Sequence, residues 1–294
     1  MEEKKPSVSA EQVTAIRAAE SMRPKDERVC YDPFARHFLG PELAKIVNDP
    51  QLTETVALTV EQDTPGAIGC VTARTRYIDD YLRACIAGGI EQLVILGAGY
   101  DTRPYRFDEL KAGVRVFEMD EPITQREKID KVVTLLGSVP DHVTYIPVDF
   151  DAENLAEKLL GCGYDAKLKT LFIWEGVTMY ITAQAVDDTL RFIVENSGKG
   201  SSIIFNYIFQ SVVDGTCELE YAEKIRESYI QRGEPLIFGI PEGTIKEFLS
   251  ERGFSGVTNV TGKFFKTEYF KGKSVDRNVC SLCGFATATV KQKD

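Results

Sequence analysis

Five short apolar runs, each closed by a polar rim residue and spaced by helical stretches, constrain this chain more than any other feature. Leu93-Val94-Ile95-Leu96 ends in Gly97-Ala98-Gly99-Tyr100-Asp101, Val114–Met119 ends at Asp120, and Val143–Val148 ends at Asp149. Leu171–Trp174 ends at Glu175, and Ser202 begins a fifth run that closes on Asn206-Tyr207. Continuous rather than alternating apolar runs suit strands buried on both faces. Helical stretches from Pro122 to about Leu136, Asn154 to Leu160 and Ala183 to Glu195 separate them. Alternation of this kind implies an α/β fold with a parallel, doubly wound sheet and right-handed crossovers.

Around that core the pattern is helical. Met1 to Ala10 reads as a flexible tail, and Glu11 to Arg23 as a helix stopped by Pro24. Asp32-Pro33-Phe34 opens a second helical stretch, and Ile68 to Ala87 a third. From Phe209 to about Phe238 the alternation breaks into a charged, helical segment with Tyr221, Ile225 and Tyr229 on one face. This segment reads as a lid. A helix near Gly243–Arg252 and two strands, Gly256–Thr261 and Ser281–Val290, complete the sheet. The expected organisation is one domain over 1–294: a helical region (1–90), a ligand-binding core (91–208), a lid insertion (209–240) and a C-terminal completion (241–294).

Composition narrows the function. With 43% hydrophobic residues in 294, the chain can bury a sizeable core. A net charge of -10 and the lack of a Lys/Arg run argue against nucleic acid. No stretch reaches the ~20 apolar residues of a membrane helix, so neither a membrane nor an exported location is expected, and the cytoplasm is. The seven cysteines are odd in number and scattered. Cys280 and Cys283 form a lone CxxC in what reads as a strand, so they are expected to be buried structural thiols, with no metal.

In such a sheet, ligands bind beyond the carboxyl ends of the strands, where strand order reverses. Four of the five ends carry an acid. The glycines Gly97 and Gly99 allow close backbone approach, as a tight turn also would. Thr102 replaces the third glycine of the dinucleotide fingerprint, and Asp101 suits a cation better than a pyrophosphate. Asp120 is placed to accept from ribose hydroxyls, or to cap the next helix. Asp149, with Phe150, is placed against an adenine, or again caps a helix. Arg74 or Arg76 could clamp a carboxylate. Glu175 could hold an ammonium, or start a capped helix. Tyr180 and Tyr207 are the candidate pocket residues that would line the reaction site.

At these residues the sequence resembles the leucine carboxyl methyltransferase family, including its prokaryotic branch. The matching stretches are Ala73–Asp80, Leu96–Phe107, Phe117–Asp120, Val148–Phe150, Glu175–Tyr180 and Cys280–Ala286. The resemblance implies a Rossmann-like, seven-stranded class I methyltransferase sheet with a reversed last strand. It also implies S-adenosylmethionine as methyl donor, and donor contacts at Arg74, Gly97, Asp120, Asp149, Phe150 and Glu175. A basic residue of the N-terminal helix, here Arg17, would meet the donor carboxylate. Phe150 departs from the family's usual Leu. The implied activity is O-methylation of a carboxylate or hydroxyl on a small molecule, or of a protein's C-terminal carboxylate. A carboxylate needs no general base, and His37 and His142 are the sole histidines, neither at a strand end. Two other readings stay open from the residues alone: a nicotinamide-dependent oxidoreductase and a non-catalytic S-adenosylmethionine-binding protein.

Overall fold

A computed structural model describes residues 6–291. Its centre is a seven-stranded sheet of β1 (Gln92–Leu96), β2 (Arg115–Asp120), β3 (Val143–Pro147), β4 (Thr170–Trp174), β5 (Ser202–Ile208), β6 (Phe254–Thr261) and β7 (Cys283–Val290). The strand order is β3-β2-β1-β4-β5-β7-β6. Strands β1 to β5 pair in parallel, while β7 runs antiparallel to both β5 and β6. This is the Rossmann-like sheet with a reversed last strand that the sequence led us to expect.

The helices described are α1 (Val8–Met22), α2 (Pro41–Asn48), α3 (Pro50–Asp63), α4 (Ala67–Ala87), α5 (Arg103–Arg106), α6 (Asp108–Lys111) and α7 (Pro122–Leu136). They continue as α8 (Leu155–Gly161), α9 (Ala183–Glu195), α10 (Gln210–Val213), α11 (Glu220–Gln231), α12 (Ile245–Glu251) and α13 (Gly262–Tyr269). Every residue of β1 is buried, because helices cover both faces. Leu93 and Ile95 pack with Ile78 and Leu82 of α4. Val94 and Leu96 turn the other way, into a layer with Val186, Leu190 and Ile193 of α9 and Leu249 of α12. Side-chain alternation along an extended strand thus feeds two apolar layers from one uninterrupted run. Thr182 starts α9 by accepting the Ala185 amide at 3.2 Å.

Four expectations need correction. Asp32 does not open a helix: fully buried, it accepts the Ala35 amide at 3.1 Å just before a single 3-10 turn, Ala35–Phe38. Two separate helices follow, each started by a proline, Pro41 and Pro50, at its first turn. The expected tail is ordered from Ser7 onward, since Ser7 caps α1 by accepting from the Ala10 amide; Met1 to Lys5 lie outside the described residues. Helix α13 was not expected between β6 and β7. Finally, β7 begins at Cys283, so Cys280, expected inside that strand, lies outside it.

Candidate active site

The order β2-β1-β4 puts the reversal of strand order between β1 and β4. Their loops meet there. Gly97 and Gly99 take left-handed backbone angles, φ +66° and +44°. A Cβ on Gly97 would sit 2.1 Å from Cγ2 of Val177, in the loop after β4. Only glycine permits that approach. The Gly99 amide donates to the Asp120 carboxylate at the end of β2. Its other oxygen accepts from the Glu121 amide at 2.7 Å. Burial pushes the Asp120 carboxyl up to about 6 against the pull of these two amides.

Above these loops lies a cavity of about 1130 Å³. Arg17, Arg74, Gly97, Gly99, Asp101, Asp120, Asp149, Phe150, Glu175 and Tyr180 all line it. Tyr207 does not. It is fully buried on β5, its hydroxyl donates to Asn259 Oδ1 at 3.3 Å, and its ring fills the space beside Gly284. Successive strand residues face opposite ways, so the neighbouring Asn206 points toward the site instead. Asn206 Oδ1 accepts the Gly176 amide at 2.7 Å and so holds the loop after β4. Arg76 also lies elsewhere, exposed and paired with Asp80.

The rim acids are not open charges. Arg103, wholly buried at the start of α5, bridges three carboxylates: Asp79 at 2.8 Å, Asp101 at 2.5 Å and Glu175 at 2.9 Å. Arg106 adds a bond to Asp79 at 2.7 Å, and Arg74 stands 2.6 Å from Glu175. Arg17 donates to the Tyr100 carbonyl at 2.6 Å. Burial would raise Asp101, but Arg103, Lys128 and Arg17 overcome it and hold the carboxyl at about 2. Burial likewise works against Glu175, yet Arg74 and Arg103 bring it below its ordinary value. Asp101, expected to suit a cation, is thus paired with Arg103, which it shares with Asp79 and Glu175. Arg74 Nε and Glu175 Oε1 form a buried ion pair, and Arg17 Nε stands 3.6 Å from Asp32 Oδ2.

Asp149 Oδ1 accepts the Asp151 amide at 3.1 Å, in a turn after β3. The cap of α8 is Asn154, which accepts from Ala156 and Glu157. Tyr180 lies in a 3-10 turn, Thr178–Tyr180, with its ring 5.8 Å from that of Tyr229 on α11. Burial first, and then Tyr229, push its phenol far above the ordinary value, so it stays protonated. Neither His37 nor His142 lines the cavity; His142 Nε2 meets the Pro104 carbonyl at 2.9 Å.

Sequence reasoning missed Arg103, although it sits inside the quoted Leu96–Phe107 stretch. It also missed Glu118 in the middle of β2. That buried acid pairs with Lys128 of α7 at 2.7 Å and accepts from the Tyr105 hydroxyl at 3.1 Å. The part of the roof given by α3 was missed as well: Val56, Val60 and Asp63 line the cavity, together with Lys224, Ser228 and Arg232 from the segment read as a lid.

A sheet of this order, with its cavity at the β1/β4 reversal and an acid after β2, has the architecture of the class I methyltransferases. Solved structures share the whole fold. A DUF574 family protein from Streptomyces avermitilis aligns with TM-score 0.60 at 14% identity, covering 98% of both chains. A Thermobifida fusca structure assigned as a methyltransferase aligns with TM-score 0.61 at 14% identity, over 98% of this chain and 96% of that one. Sequence relatives are nearer. YktD of Bacillus subtilis, assigned as an S-adenosyl-L-methionine-dependent methyltransferase, is 30% identical over 68% of this chain and 64% of its own length. A protein of Mycobacterium sp. (strain JLS) with the same assignment is 30% identical over 84% of this chain and 83% of its own. The family model for leucine carboxyl methyltransferase matches residues 10–194. The chain belongs to the leucine carboxyl methyltransferase family and is an S-adenosylmethionine-dependent methyltransferase. The oxidoreductase and non-catalytic readings are set aside with that membership.

Proposed function

We propose that the chain methylates a carboxylate oxygen of a small organic acid, giving a methyl ester. What carries the reading is that no histidine lines the cavity, which favours an acceptor needing no general base, while Lys224 and Arg232 of its roof offer cations to an acceptor carboxylate among the acids that also line it. Its roughly 1130 Å³ exceeds the ~300–1,000 Å³ of an ordinary small-molecule site, which suits donor and acceptor together. S-adenosylmethionine supplies a methyl group already activated by its sulfonium charge. The residues present fit that donor. Arg17 and Arg74 bring guanidinium groups to the cavity wall that would meet a carboxylate, and Glu175, now paired with Arg74, is a carboxylate that would meet an ammonium. Asp120 would take the ribose hydroxyls, with Phe150 and Asp149 beside the adenine.

The acceptor would enter under the roof, where Lys224 and Arg232 line the wall opposite the rim. A carboxylate is ionised at neutral pH and needs no proton removed, so the protein contributes orientation and exclusion of water. Tyr180, protonated, can donate a hydrogen bond to one carboxylate oxygen while the other attacks. Residues 209–240 act as the lid in this reading. The test uses purified full-length protein, methyl-tritiated donor, and a panel of aliphatic and aromatic acids, C-terminal peptides and phenols. Ester products release labelled methanol on mild alkali, and that release is the expected result. Label that stays on phenols through alkali would overturn the carboxylate assignment.

A further inference from the structure

A second constellation lies beneath the cavity. Cys70 on α4, Cys280 and Cys283 are free thiols whose sulfurs all fall within 4.8 Å of one another. Cys70 comes from 213 residues away in sequence, which is why the CxxC looked solitary. We propose that these three sulfurs form a site for one thiophilic cation of the zinc class, with the fourth coordination position open to a non-protein ligand.

The geometry matches the chemistry. Cys70 Sγ and Cys283 Sγ are 3.5 Å apart, too far for a disulfide bond of about 2.05 Å. Zinc–sulfur bonds of about 2.3 Å place tetrahedral ligands about 3.8 Å from each other, so small rotations of the three side chains suffice. The backbone is built to hold the set. A Cβ on Gly66 would lie 2.4 Å from the Cys280 amide nitrogen, one on Gly69 1.9 Å from the Asn278 carbonyl oxygen, and one on Gly262 2.1 Å from the Cys280 carbonyl oxygen. The chain before Cys280 is thus clamped between α4 and α13 by glycines on both sides. The Cys280 amide also donates to the Gly66 carbonyl at 3.0 Å. Cys283 is fixed separately by pairing with Ile208 in β5. Phe265, Phe270, Phe285 and Val260 pack around Cys70 and Cys280, with Cys283 partly buried at the edge.

Charge is compensated in part. Three thiolates around a divalent cation leave one negative charge; it shares Arg74, one helical turn from Cys70 on the same face, with Glu175. Soft sulfur ligands select d10 ions over magnesium or calcium. The inference is independent of the methyl acceptor.

The full-length protein, reduced and stripped with chelator, would be titrated with Cd²⁺ as an optical probe. A sulfur-to-cadmium charge-transfer band should saturate at one equivalent with the amplitude of three thiolates, and Zn²⁺ should displace it. Cys280→Ser and Cys283→Ser should each weaken binding at least 100-fold, whereas Cys162→Ser, at an exposed site, should not change it. Adenosylhomocysteine binding without metal checks that each variant folds. If a serine variant fails to fold, alkylation of the wild type replaces it. One equivalent of Zn²⁺ should then protect Cys70, Cys280 and Cys283 but not Cys162. A folded, reduced wild type without the band, a band that survives Cys280→Ser, or unprotected thiols would overturn the proposal.

Discussion

Asp120 is the rim residue whose charge state responds most directly to solution conditions. Its two oxygens are oriented by the Gly99 and Glu121 amides, and burial lifts the carboxyl to about 6. The ionised form accepts hydroxyl hydrogens; the protonated form loses acceptor capacity. Adenosylhomocysteine affinity should therefore be full above pH 7 and fall as the pH drops through 6, approaching tenfold per unit below it. Asp120→Asn keeps the shape but cannot ionise. It should bind roughly 10- to 100-fold more weakly at pH 7.5, the value of a charge-assisted hydrogen bond, and show a flat profile between pH 5 and 7. Calorimetry of both proteins across that range decides it, and parallel profiles would remove Asp120 from the ribose role. Acids such as Asp120 and Glu175 were legible because a strand's end is marked by the close of its apolar run. Arg103 was not, since its partner Asp79 lies on α4 and only the packing of α4 against the sheet brings them together. Tyr207 was misjudged because the end of a strand does not disclose which of two adjacent residues faces the ligand.

Among the elements, the contact between the loops after β1 and β4 has the least tolerance. Gly97→Ala adds a methyl 2.1 Å from Val177 Cγ2, at a backbone angle of φ +66° that L-residues rarely adopt. The overlap and the angle together should cost about 2–4 kcal/mol, read as a lower urea midpoint. Val177→Ala in the same chain removes the overlap and leaves the angle, so the double variant should recover part of the loss. A double variant no more stable than Gly97→Ala would show that the loops do not meet as described. Most elements were legible in the sequence, α9 to the residue, because a periodic apolar face marks them. Helices α2 and α3 were not, for α3 buries no residue and leaves Leu52, Val56 and Leu58 exposed. An element without a core-facing stripe gives periodicity nothing to detect.

At the scale of the molecule, floor and roof of the cavity differ in how firmly they are held. The floor is the fully buried β1 and β4 with their two apolar layers. The roof is assembled from distant parts of the chain: the start of α1, the exposed α3, and α11 with the segment after it. Few bonds join these parts. Ser7 Oγ donates to Glu234 Oε1 at 2.9 Å, the Ser7 amide reaches Thr124 Oγ1 at 3.3 Å, and the Ile237 amide reaches the Met179 carbonyl at 2.9 Å. Elements with few buried apolar contacts open at lower free energy than the core. A roof that opens locally would also widen the way in for a substrate. In the free protein, amides of α3 and α11 should exchange with deuterium at least 100-fold faster than those of β1 and β4. Adenosylhomocysteine, bound at the proposed donor site against the rim and α1, should slow exchange in α1 and in the loop after β1, and through Ser7 and Glu234 also in α11. Ser7→Ala should weaken that transmitted protection of α11 while leaving the β1 loop protected. Equal protection of α11 in both proteins would mean that the roof closes through contacts other than this hydrogen bond, and uniformly slow exchange in the free protein would mean that it does not open locally at all.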